Sequence, residues 1–417
     1  MKICIDLNRK KGVSLKIVLI CDSYIPLKNS AAVQMHDLAL ELHRKGYEVV
    51  VLTPSENTNK PWELENMKGV KVLRLRALKL RGIGYLRRTI SELTMPFFML
   101  YNLSKSPMAK IKWDGIVWYS PSIFHGVLIR VLKYRCNCPS YLIIRDIFPQ
   151  WALDLGLMTR GLPFLFFSAI ARYQYSIADI IGVQSIGNKK YFINWHEHGK
   201  RKLEVLNNWI GNPLQVRCTL RINKTLLEGR KIFVYAGNMG VAQGLDIFID
   251  LADKLRTQTN IGFLFVGRGS NIHHLKQTAS AKNLDNIMFF DEIASEEIPD
   301  LYAQCTVGIV CLDPRHKSHN IPGKFLTYLQ CGLPILASVN SGNDLAQIIR
   351  EERIGQVCES YQIGELLQLT HTLLAQIDSK ENLADRCKCL FEREFRVEKA
   401  ASQITSALFN QSSSSQF

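Results

Sequence analysis

No stretch of this 417-residue chain reaches the roughly 18–20 consecutive apolar residues that a membrane-spanning helix needs. The nearest runs, Met95–Leu100 and Leu162–Ile170, stop well short. Met1 to Gly12 mixes Asp6, Arg9, Lys10 and Lys11 with apolar residues and lacks the apolar centre of a secretory signal, so a cytoplasmic protein is expected. Cysteine is present but unorganised. Cys136/Cys138 and Cys387/Cys389 are C-x-C pairs, not the C-x-x-C pairs of a zinc site, and no histidine pair completes either. Reduced thiols in a cytosol fit this scatter. Acid is the scarcer charge: 37 Asp and Glu face 52 Lys and Arg, a formal net charge of +15.

Such an excess is an argument about partners. It is uneven, with thirteen Lys or Arg between Lys71 and Arg135 against only Glu92 and Asp114. Apolar and aromatic residues interleave with these charges, as in Tyr85-Leu86-Arg87-Arg88 followed by Leu93 to Leu100. An amphipathic segment lying on an anionic membrane surface is the expected reading, with a solvated basic face as its rival. A nucleic-acid partner would suit the charge alone, but no nucleic-acid-binding motif accompanies it.

The length suits two domains of about 200 residues. Apolar, β-branched runs read as strands at 17–21, 49–53, 70–75, 116–119, 141–145, 180–184 and 203–206, with helices such as Ala31–Arg44 between them. The pattern restarts with strands at 232–236, 262–266, 287–290, 307–311, 335–338 and 356–358. Strand alternating with helix predicts parallel sheets, hence an α/β protein of two Rossmann-like domains facing a cleft. Expected boundaries are an extension over 1–14, a first domain over 15–207, a linker over 208–230 and a second domain over 231–390. A helix over 391–409 is expected to cross back to the first domain, before a disordered Ser/Gln-rich tail over 410–417.

Three loops of the second half favour an anion. Strand, glycine turn and helix follow one another in Tyr235-Ala236-Gly237-Asn238-Met239-Gly240-Val241-Ala242-Gln243-Gly244, where glycine lets backbone N–H groups approach a phosphate. Val266-Gly267-Arg268-Gly269 follows the next strand. Ile321-Pro322-Gly323-Lys324-Phe325-Leu326-Thr327-Tyr328-Leu329-Gln330-Cys331-Gly332-Leu333-Pro334 opens a helix with Lys324 in its first turn. A tight turn with nothing bound is the bland alternative for each loop. In the first half, Arg145-Asp146 at a strand end is a candidate pair for orienting a substrate, a salt bridge being the structural alternative. His36 reads as a helical packing residue. Asp313, His316 and His319 lie on a loop toward the same cleft.

The order of these loops resembles the donor domain of glycosyltransferase family four, retaining enzymes of the GT-B fold, over roughly residues 15 to 400. Ala178-Asp179-Ile180-Ile181-Gly182-Val183-Gln184-Ser185 looks like a strand typical of the family, and Ile144-Arg145-Asp146-Ile147-Phe148-Pro149-Gln150-Trp151 resembles a stretch of its O-antigen and capsule branch, nearest to L-fucosamine (FucNAc) transferases. The resemblance implies a UDP-linked sugar donor and a polyprenyl-diphosphate-linked acceptor at the inner face of a bacterial membrane. Lys324, Arg145 and Asp146 are then the expected catalytic residues. Donor contacts are expected from Gly237, Asn238, Met239, Gly240, Gln243, Gly267, Arg268, Gly269, Glu292, Thr327 and Tyr328. Asn29, Ser30, Ala31 and His36 are expected at the acceptor. The chain departs from the family where Arg and Lys are usual, at Asn238 and Gln243, and where two Glu are usual, at His319 and Thr327. No Asp-x-Asp occurs, so no metal or other cofactor is expected and the diphosphate charge falls to Lys324 and Arg268. A non-transferring UDP-sugar 2-epimerase of the same fold is the enzymatic alternative, and a transferase fold serving as a scaffold the other.

Overall fold

The computed structural model describes residues 14–410 apart from Lys28, 198–200, 213–215, His316, Ser318 and Asn320. Save for Ser14 and Asn410, the expected extension and tail lie outside the described residues, as does His316. The first half holds β1 (Lys16–Ile20), β2 (Glu48–Ser55), β3 (Trp62–Met67), β4 (Val70–Arg76), β5 (Gly115–Ser120), β6 (Ser140–Ile144), β7 (Ile180–Val183) and β8 (Lys202–Val205). They form one sheet in the order β3-β4-β2-β1-β5-β6-β7-β8, parallel except for β3. Ile17 pairs with Val49 on one side and Gly115 on the other, which places β1 at the centre.

Helices cover both faces, so the central strands are apolar on both sides. Successive residues of β1 divide between two cores. Ile17 and Leu19 pack with Met35, Leu38 and Leu42 of α1 (Ser30–Arg44). Val18 and Ile20 pack with α2 (Tyr85–Ser104), α3 (Gly126–Cys136) and, past the short α4 (Gln150–Asp154), α5 (Leu162–Ile177). A one-turn α6 (Ile193–His196) precedes β8. Met95, Met99 and Leu103 are four residues apart, so they share the inward side of α2 and are fully buried or nearly so. Met95 and Met99 are therefore core residues and not part of any membrane-facing stripe, whereas Phe97 and Phe98 do face outward.

The second half holds β9 (Lys231–Ala236), β10 (Ile261–Val266), β11 (Ile287–Phe290), β12 (Val307–Cys311), β13 (Ile335–Ser338) and β14 (Gly355–Cys358). Their sheet is parallel throughout, in the order β11-β10-β9-β12-β13-β14. Around it lie α7 (Asp246–Lys254), α8 (Ile272–Ala281), α9 (Ile298–Tyr302), α10 (Gly323–Cys331), α11 (Asp344–Glu351), α12 (Ile363–Asp378) and α13 (Leu383–Leu390). Gly332 ends α10 in the left-handed conformation that glycine adopts without penalty. A π turn over Phe391–Phe395 then leads into α14 (Val397–Phe409), which packs on α1 of the first domain, with Phe409 stacked on Tyr47.

Every strand expected from sequence is present within two residues of its place. The stretch 208–230 is less of a tether than expected, because Cys218, Ile222 and Leu227 are buried in the second core. Just after β8, Asn208 touches both domains, its Nδ2–H donating to Ile321 O (3.2 Å).

Candidate functional site

The two glycine loops of the second domain pack directly on each other. A Cβ on Gly267 (φ +140°) would sit 2.1 Å from the carbonyl oxygen of Gly237. Gly237 N–H donates to Val266 O (2.9 Å), Met239 N–H to Arg268 O (2.7 Å), and Gly240 N–H to Gln243 Oε1 (2.9 Å). Three of the four N–H groups expected to receive a diphosphate are therefore already bonded within the protein. These glycines serve close backbone packing. Gln243 folds back to cap its own loop, and Met239 is buried beneath it. Arg268 is largely exposed and paired with Glu292 at 3.1 Å. Thr327 Oγ1 donates to Gly323 O within its own helix (3.4 Å). Tyr328, expected at the donor, is instead fully buried; its hydroxyl donates to Val234 O (3.0 Å) and its ring lies 4.7 Å from that of Tyr302.

Lys324 stands differently. Its Nζ lies 3.6 Å from the centroid of the Tyr235 ring, and a Cβ on Gly237 would be 3.7 Å from that nitrogen. Although part of the side chain reaches solvent, desolvation of the ammonium pushes its pKa down to about 7. The turn after β9, the first turn of α10 and this lysine thus form one electropositive niche that lacks a bonded anion among the described residues.

Across the cleft, Asp146 follows β6. It is half-buried, makes no hydrogen bond or ion pair with a described residue, and burial raises its pKa. Arg145 is not its salt-bridge partner. The Arg145 guanidinium donates to Leu206 O (2.8 Å) and Asn207 O (3.3 Å) and lies 4.5 Å from the Trp209 ring centroid, bracing the interdomain segment. On α1, Asn29 Oδ1 caps the helix by accepting from Ala32 N–H (2.8 Å), Ser30 is exposed and Ala31 half-buried. His36 Nδ1 lies 3.0 Å from the Tyr24 hydroxyl, and burial together with Lys68 lowers its pKa.

His125 was not singled out from the sequence. It sits at the start of α3, is fully buried, and neither ring nitrogen has a hydrogen-bond partner. Burial lowers its pKa to about 4, opposed by the charge of Asp22, whose Oδ1 is also buried and unpartnered. Both follow adjacent central strands, β1 and β5, at the cleft end of the sheet. Unbonded buried polar atoms are rare and mark places where a ligand or water completes the set. The available signal was positional: a histidine in the Ser120-Pro121-Ser122-Ile123-Phe124-His125-Gly126 turn between strand and helix.

Two parallel-sheet Rossmann-like domains with loops facing across a cleft define the GT-B fold. Sucrose-phosphate synthase from Thermosynechococcus elongatus is similar at a TM-score of 0.73 and 15% identity, covering 96% of this chain and 100% of that one. In sequence, residues 230–376 match the family described as Glycosyl transferases group 1, and the glycine loops and Lys324 fall inside the matched stretch. The probable glycosyltransferase WbjE of Pseudomonas aeruginosa is 23% identical over 236 residues, 55% of this chain and 58% of that protein. The putative colanic acid biosynthesis glycosyl transferase WcaI of Escherichia coli (strain K12) is 25% identical over 279 residues, 61% of this chain and 62% of that protein. These alignments span about three fifths of each curated relative.

Proposed function

We propose that this protein is a glycosyltransferase of cell-surface polysaccharide synthesis, moving a sugar from a nucleoside-diphosphate donor to a lipid-linked sugar acceptor with retention of configuration. The observation that carries the reading is the Lys324 ammonium, desolvated and without an anion among the described residues, where the first turn of α10 meets the turn after β9. When the sugar C1–O bond breaks, negative charge grows on the departing diphosphate, and a cation held at that point stabilises the transition state more than the ground state. Asn238 and Arg268 border the niche and serve as secondary contacts. The acceptor hydroxyl faces Asp146, which accepts its hydrogen bond. UDP-linked L-FucNAc is the donor favoured by the sequence resemblance, and no divalent metal is required.

A membrane-surface location belongs to the same reading. Among the described residues, no helix is long and apolar enough to cross a membrane. Side by side on one face of the first sheet, α2, α3 and α5 expose Tyr85 (90%), Leu86, Phe97, Tyr134 (92%), Leu162 (83%) and Phe166, with Arg87, Arg88, Arg130 and Arg172 among them. Apolar side chains beside exposed arginines suit the interface of an anionic leaflet, where a lipid-linked acceptor is held.

The test is turnover of a sugar-nucleotide panel that includes UDP-FucNAc, with polyprenyl-diphosphate-linked GlcNAc as acceptor. Product carrying the donor sugar is expected; nucleotide release without transfer, or epimerised UDP-sugar, would overturn the reading.

A further inference from the structure

Lys324 is held from the other domain. Three residues before it, Ile321 buries its side chain in the second core beside Phe325 and Leu326, and the Pro322 that follows has no N–H. The Ile321 carbonyl points at the first domain. It accepts Gln184 Nε2–H (2.6 Å), just past β7, and Asn208 Nδ2–H (3.2 Å), in the interdomain segment. Both lone pairs are thereby filled, and all three residues are buried. Gln34 Nε2 of α1 donates to Asn208 Oδ1, and Gln34 Oε1 accepts from the Tyr119 hydroxyl (2.9 Å) at the end of β5. An unbroken chain of buried hydrogen bonds thus runs from the centre of the first sheet to the peptide that opens α10.

We propose that Gln184 and Asn208 are positioning residues that make the placement of Lys324 depend on closure of the two domains; this rests on Lys324 being the lysine that meets the donor diphosphate. The Gln184–Ile321 contact joins two domains, so an opening that parts the end of β7 from the start of α10 breaks it. The Ile321–Gly323 peptides then lose their anchor, and the Lys324 side chain leaves the Tyr235 ring for water. Closure re-forms the niche around the nucleotide, and opening releases it. A second pair of bonds supports the same loop: the His319 carbonyl accepts Ser185 Oγ–H (3.0 Å) and Asn188 Nδ2–H (3.2 Å), both from the first domain.

The lysine itself reports whether the grip is made. The titratable groups facing it are Tyr235 on β9 and Cys311 on β12, and burial keeps both protonated. Full-length protein is titrated calorimetrically with UDP, GDP and dTDP between about pH 6 and pH 9, and the tightest binder is followed. Wild-type affinity is expected to fall with an inflection near 7, the value to which burial lowers Lys324. Lys324→Ala abolishes that inflection and leaves only the titration of the ligand. Gln184→Met, which keeps the volume and removes the donor, shifts the inflection up by about a unit or more toward an ordinary lysine. Asn208→Asp, which removes the second donor, does the same and serves if Gln184→Met does not fold. An inflection unmoved in both variants, with only thermal stability lowered, makes the two amides purely structural and overturns the proposal. A wild-type profile identical to that of Lys324→Ala overturns the reading of Lys324 itself, and the positioning role falls with it.

Discussion

The imidazole of His319 fills the space that a side chain at Gly187 would need: a Cβ there would lie 2.3 Å from Nδ1. The two residues belong to different domains. Around them, Gly187 N–H donates to Asp344 Oδ2 (2.7 Å), and Asp344 Oδ1 lies 3.0 Å from His319 Nδ1. His319 thus serves as an interdomain contact. Gly187→Ala is expected to displace the ring and destabilise the protein by about 1–3 kcal/mol, read as a lower urea midpoint. An unchanged midpoint would show that the domains do not meet in this way in solution.

Lys324→Ala should lower kcat/KM for the donor by roughly two to three orders of magnitude, about 3–4 kcal/mol, because the cation acts on charge that develops in the transition state. Thermal stability should hold or rise, since burying an ammonium with a lowered pKa costs the apo protein free energy at neutral pH and below. A folded variant with wild-type turnover would remove Lys324 from the site.

Burial of His125 gives stability a pH dependence. Its pKa is about 4 when folded against 6.5 in its ordinary state, so between these values the unfolded chain binds more protons. The stability is intact above about pH 6.5 and is lost as pH falls toward 4, by about 3 kcal/mol in all. Urea titrations at both ends should show this loss in wild type and a smaller one in His125→Gln. Equal losses would mean that the ring is hydrated in solution.

Turnover should survive chelation. On the proposed reading, Lys324 and the start of α10 supply the positive charge at the diphosphate, so no metal ion is needed there. Activity abolished by EDTA and restored by Mn²⁺ or Mg²⁺ would place the metal on the donor and contradict this account.

Vesicle co-sedimentation checks the α2–α3–α5 face. Binding to phosphatidylglycerol-containing vesicles should weaken with salt, each interfacial arginine contributing about 1 kcal/mol. Charge reversal at Arg87 and Arg88 should weaken it further, and so should Leu162→Ser with Phe166→Ser, at unchanged thermal stability. Wild-type protein remaining in the supernatant at low salt would reduce the basic band to a solvated face.

The strand positions of both domains were legible in the sequence because buried parallel strands are short, continuous apolar runs, as in Ile17–Cys21 and Ile232–Ala236. Only β3 escaped, since Trp62-Glu63-Leu64-Glu65 is a half-exposed edge strand whose charges hide its pairing with β4. Lys324 was legible as well, because a cation in the first turn after a glycine is a local pattern. What tertiary structure alone decided is which polar groups remain free. Arg145 and Asp146 are neighbours in sequence, yet Leu206, Asn207 and Trp209 claim the arginine and leave the carboxylate open. Gly237, Met239 and Gly240 have the composition of a phosphate loop, yet their N–H groups are bonded within the protein, two of them to the neighbouring loop. The position of His125 between strand and helix was readable, but its isolation was not, because that depends on burial at the start of α3. Local sequence determines backbone conformation through sterics and periodicity; whether a donor or acceptor is already satisfied depends on partners tens to hundreds of residues away, and folding alone brings those together.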